Sequence, residues 1–143
     1  MLTNGLHDVP PGKLATVVTH LEMTERPDLR PVPAPADLTL ARTHAPDTGW
    51  YRDLFRRVGG LDWLWFSRLV LDDAALAAIL TDPDVEVYAL SRDEQAQGLL
   101  ELDFRTPGEC ELAFFGVSPD LIGSGAGRFM MNEAIMRVWS RPI

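Results

Sequence analysis

The sequence predicts an α/β protein built on a mixed, mainly antiparallel sheet. Three observations carry this. Segments between residues 84 and 117 alternate apolar and polar residues at the period of a strand. Segments before and after them have the apolar spacing and end signals of helices. Glycines at every second position, Gly123, Gly125 and Gly127, separate the last strand from the last helix. A chain of 143 residues is long enough for one domain with a substantial core.

Residues 1–13 are polar and rich in Gly and Pro, and no regular element is expected there. "ATVVTHLEM" (15–23) is β-branched and reads as a strand. Residues 27–46 hold Pro27, Pro31, Pro33, Pro35 and Pro46, which keep the chain extended. Residues 1–36 are therefore expected to form an arm, with one strand and a Pro-rich segment, that packs on a main domain of residues 37–143. That domain opens with a short strand within "DLTLART" (37–43).

A helix follows over 45–60. Asp47 or Thr48 can cap it, Gly59 and Gly60 end it, and Trp50, Leu54 and Val58 form its apolar stripe. "LDWLWFSRLVL" (61–71) is expected to form a helical turn. Residues 72–82 form a second helix, with acids at its start and Pro83 beyond its end. The strands at 84–91, 98–105 and 109–117 make an antiparallel meander with polar turns. The last helix spans 127–140.

A net charge of -8, with Lys13 the one lysine, argues against nucleic-acid and anionic-membrane partners. Cys110 is the single cysteine, so neither an internal disulfide nor a structural zinc site is expected. No metal is expected. No signal-peptide pattern is visible, and a cytoplasmic protein is the plain expectation.

Bare backbone just before a helix suits an anion, because the first N–H groups of the helix point outward unpaired. A Walker loop needs a lysine after the glycines, and none lies beyond residue 13. A dinucleotide fingerprint needs the spacing G-x-G-x-x-G after a parallel strand, whereas this chain has G-x-G-x-G after a meander. A ligand-free turn between strand and helix is the plain alternative.

The stretch Val117-Ser-Pro119-Asp-Leu-Ile122-Gly123-Ser-Gly125-Ala-Gly127 resembles the pyrophosphate motif of the GNAT superfamily of N-acyltransferases. The upstream order of elements is similar too. The resemblance implies a three-layer acyl-CoA N-acyltransferase-like fold. It implies that the chain moves an acetyl group from acetyl-CoA to the amine of a small-molecule acceptor. Ile122, Gly123, Ser124, Gly125, Ala126, Gly127 and Arg128 would form the loop whose N–H groups hold the coenzyme A pyrophosphate. Phe115 and Val117 would pair through their backbone with the pantetheine arm. Ile122 departs from the motif, where a Gln or Arg is usual. The family also continues with further strands that nothing after Ile143 supplies, so a domain lacking its C-terminal strands is expected. In that case the strand "ECELAFFGV" or the surface around Trp139 would be exposed, and a homodimer through the strand edge is expected. A non-catalytic domain that binds coenzyme A or a partner is the alternative.

Acyl transfer to an amine calls for a proton acceptor. On the resemblance, Glu111 is the first candidate, with Glu101 and Asp103 on the neighbouring strand as alternates; each could equally be an outward-facing strand carboxylate. Trp63 and Trp65, with Trp50, Tyr51 and Phe66, could line an acceptor pocket or simply fill the core. His7, His20 and His44 have no spacing suited to a metal or a triad. Cys110 is expected to pack as a small apolar residue.

Overall fold

The computed structural model describes residues 3–30, 32–60 and 62–143. Of the residues named above, Pro31 and Leu61 lie outside these. Four strands form one sheet in the order β1-β2-β3-β4: Thr39–Arg42, Val85–Arg92, Gln95–Asp103 and Glu111–Val117. Every pairing is antiparallel, so the expected mixed sheet is corrected to an antiparallel one. The reason is local. β2 is joined to β3 by two residues and β3 to β4 by seven, both too short for a parallel crossover.

The β2–β3 turn is Asp93–Glu94. Both residues are left-handed, at φ 48 and 64, as a two-residue hairpin matched to the strand twist requires. The β3–β4 turn uses Gly108 at φ 79. Both faces of the sheet are covered, which explains why β2 is buried from Val85 to Leu90.

Helix α1 spans Thr48–Phe55 and helix α2 spans Asp73–Leu80. Both cover one face. Tyr51, Leu54, Phe55, Val58, Leu76 and Leu80 pack there on Val85, Val87, Ala89 and Leu99. Asp47 caps α1 by accepting from Trp50 N at 2.9 Å, and Asp72 caps α2 by accepting from Ala75 N at 2.7 Å. Arg52 joins the two helices through Asp73 at 2.5 Å and the Leu71 carbonyl at 2.9 Å. Helix α3, Ala126–Val138, covers the other face, where Met130 and Ala134 meet Leu90, Leu100 and Leu102. The alternation along β2 and β3 thus divides one sheet between two cores.

One expectation is corrected here. Residues 15–23 form no strand: they carry no regular structure and are exposed. A β-branched stretch becomes a strand only when another strand offers hydrogen bonds, and this one has no partner. Within 62–71 the chain makes a single helical turn, closed by the Phe66 carbonyl, which accepts from Leu69 N at 2.9 Å and from Val70 N at 3.2 Å.

The end of α1 makes room for Trp65. The chain widens into a single π-helical turn over Arg56–Gly60. Leu64 takes a left-handed φ of 53, and the chain turns there just before Trp65. The Trp65 indole fills a slot between Gly59 and Gly116. A Cβ added at Gly59 would lie 2.5 Å from the indole, and one at Gly116 would lie 2.9 Å from it.

Gly59→Ala is therefore expected to destabilise the protein by about 1–3 kcal/mol through overpacking. Gly127→Ala, where an added Cβ meets nothing within 4 Å, is expected to stabilise it by roughly 0.5–1 kcal/mol. Urea midpoints at unchanged slope measure both.

Candidate functional site at the end of β4

β4 stays paired with β3 to its last residue, Val117 opposite Gly98. The next N–H, from Ser118, donates to the Gln97 carbonyl at 2.7 Å. Pro119–Leu121 then makes one tight 3-10 turn. Leu121 is buried in the α3 core, whereas Ile122 is exposed.

Gly123 and Gly125 have φ of 80 and 87, where an L side chain is strained. The backbone therefore needs both glycines. Gly127 is different: it has no left-handed φ and no close neighbour. Ser124 stiffens the turn, its hydroxyl donating to the Leu121 carbonyl at 2.7 Å and accepting from Ala126 N at 3.3 Å. Ala126 is fully buried and Arg128 is exposed. Within the described residues, no hydrogen bond uses the N–H groups of Gly125, Gly127 or Arg128. These donors open α3, a 13-residue helix whose positive dipole end lies among them. An added Cβ at Gly123, Gly125 or Gly127 would enter open space. The arrangement offers several unpaired donors, with no side chain over them, to an anion.

On the α1 side of β3 and β4, around Phe114, lies a buried polar network. Glu101 is fully buried in β3, opposite Phe114. Arg68 Nη2 donates to its Oε1 at 2.6 Å, and the Tyr51 hydroxyl donates to its Oε2. Burial first, and then the Glu101 carboxylate, push the Tyr51 phenol far above its ordinary value, so it is a fixed donor. Burial alone would weaken the Arg68 charge, but Glu101 outweighs it and holds the guanidinium protonated. The Arg68 guanidinium also lies 5.1 Å from the centre of the Phe114 ring. Phe114 packs edge-on against Phe55 at 4.7 Å and Trp65 at 5.3 Å.

The remaining candidates are spread out. Phe115 and Val117 are half-buried on the α3 side of β4, next to the glycine turn. Glu111 is exposed at the start of the same strand, six residues before Val117 and roughly 20 Å away along it. Asp103 is held by Arg105, whose hydrogen bonds keep its carboxyl below the usual range. Trp65 is core, whereas Trp63 is 71% exposed, so the two do not share a pocket wall. Burial raises the Cys110 thiol to about 11, which keeps it protonated at neutral pH. Among the described residues, no cluster of three or more His, Cys, Asp or Glu could hold a metal, and no helix is long and apolar enough to cross a membrane.

Sequence reasoning missed Arg68. Its one signal was a lone cation inside the apolar run Trp63–Leu71, which calls for a buried acid elsewhere. Comparison of the chain with protein-family models and with curated proteins gave no match.

Tyr51→Phe removes one of the two donors on a carboxylate that water cannot reach. It is expected to cost about 1–3 kcal/mol. Chemical denaturation measures this, and an unchanged near-ultraviolet spectrum would show that the core packing is retained.

Proposed function

We propose that the chain is a GNAT-type acyltransferase that moves an acetyl group from acetyl-CoA to the amine of a small-molecule acceptor. The observation that carries this reading is Gly127. It is bare backbone that neither φ nor packing demands, set among unpaired N–H groups at a helix start. A cradle for a bulky diphosphate explains it, because a side chain there would occupy the ligand's space. The coenzyme supplies an acetyl thioester when bound. The N–H groups of Gly125, Gly127 and Arg128 hold the pyrophosphate, with Gly123, Ser124 and Ala126 shaping the turn. The exposed edge of β4 at Phe115 and Val117 offers backbone groups to the pantetheine arm, and Ile122 covers it with an apolar surface in place of a polar contact.

Glu101 has both oxygens engaged, and Glu111 stands at the far end of β4. The reading therefore assigns the rate to proximity and orientation of the amine and the thioester. The same placement of carboxylates favours a second reading, a coenzyme A-binding or interaction module without catalysis.

Titration calorimetry with acetyl-CoA tests the proposal on the full chain and on Gly127→Glu. A carboxylate at the start of a helix does not harm the helix, but it repels a phosphate. Micromolar binding is expected for the parent. The variant should bind at least roughly tenfold more weakly, the worth of one charge-assisted hydrogen bond. A parent that does not bind, or a variant that binds equally, contradicts the cradle. Release of coenzyme A thiol in the presence of small amines separates the two readings.

A further inference from the structure

An apolar groove of about 700 Å³ runs between the outer edge of β4 and the flank of α3. Cys110 and Leu112 line it on the strand side, and Met131, Ile135 and Trp139 on the helix side. Burial keeps the Cys110 thiol protonated, so none of these side chains carries a charge. The volume and the apolar lining are those of a small-molecule site. One end is bounded where the chain passes as Glu22–Thr24, beside Glu109 and Trp139. Glu22 and Glu109 are exposed there, so their carboxylates remain in water.

The groove lies in line with the glycine turn. α3 begins at that turn, and its far end, at Trp139, meets Glu109 and Cys110 just before β4. Strand and helix therefore run side by side in opposite senses, and the groove between them leads away from the turn. A pantetheine arm laid along Val117 and Phe115 directs its sulfur into the groove. We propose that the groove holds the hydrocarbon tail of the acyl donor, so that donors extend beyond acetyl-CoA to linear acyl chains as long as the groove, about eight carbons over about 12 Å. This inference rests on the acyl-CoA reading.

Length and polarity support the assignment. The chain runs back from Phe115 to Cys110 over roughly 17 Å, and α3 advances about 12 Å between Met131 and Trp139. The two carbons of an acetyl group leave most of that length empty, with Leu112 40% exposed to water. Each methylene buried there is worth roughly fourfold in affinity. The lining carries no charge to hold a polar tail, so a plain hydrocarbon chain fits it best. The transfer keeps its chemistry. The amine nitrogen attacks the thioester carbon, the C–N bond forms as the C–S bond breaks, and coenzyme A leaves as the thiol with the proton that the amine gives up.

Titration calorimetry with acetyl-CoA and octanoyl-CoA tests this on the full chain, on Ile135→Asp and on Leu112→Ser. The readout is the ratio of the two affinities, which a general loss of binding does not move. In the parent, octanoyl-CoA is expected to bind at least roughly 30-fold more tightly, through partial burial of its further methylenes. In Ile135→Asp the ratio is expected to fall toward one. Leu112 is already partly exposed, so Leu112→Ser keeps the fold and is expected to lower the ratio at least about threefold. A ratio that survives both substitutions overturns the proposal. If acetyl-CoA binds the parent and octanoyl-CoA binds no more tightly, the tail site is overturned while the cradle stands; a dimeric mass by light scattering then assigns the groove to a second copy. Binding of neither ligand overturns the cradle and the tail site together.

Discussion

Glu101 lies in the middle of β3, wholly out of water, where a lone charge costs several kcal/mol. Its burial is tolerated because Tyr51 comes to it from α1 and Arg68 from the segment before α2. The carboxylate thus fixes three parts of the chain that are far apart in sequence. Arg68 cannot leave without stranding a charge, so the irregular segment from Asp62 to Leu71 is held on the sheet despite having little hydrogen-bonded structure of its own. That segment brings Trp65 into the slot between Gly59 and Gly116, and Trp65 in turn packs on Phe114 of β4.

β4 is an edge strand, and an edge strand gains rigidity from what lies on its two faces. On one face stand Phe55, Trp65 and Arg68, and on the other stands α3. The glycine turn at its end inherits this rigidity. Its N–H groups are aimed by a strand locked to β3 as far as Ser118 and by a helix locked to the sheet through Ala126, Met130 and Ala134. A preorganised set of donors binds an anion at less entropic cost than a mobile loop. This is the physical link between a buried ion pair and the acyl-CoA site that we propose.

Much of the fold was legible because local signals and tertiary structure agree. The strands of the meander, the Asp47 cap, the acids opening α2 and the glycines before α3 each form as their residues dictate. What the residues did not reveal shares a cause. Residues 15–23 have strand composition, but no strand pairs with them. Residues 62–71 make the expected helical turn, but their path is set by Glu101 and Gly116, both distant in sequence. Parity along β3 puts Glu101 on the same side as Leu99, a core position, yet sequence alone does not say that Arg68 would reach it. The turn itself was readable. The distance between Glu111 and that turn was not, because it depends on where β4 begins.

The acyl-CoA site that we propose requires the glycine turn to receive the pyrophosphate of acetyl-CoA. The direct measurement is a map of backbone amide shifts as acetyl-CoA is added to the isotope-labelled chain. The largest shifts are expected at Gly125, Gly127 and Arg128, with smaller ones at Phe115 and Val117. Shifts that are absent from the turn, or confined to the exposed surface around Trp63, would contradict it.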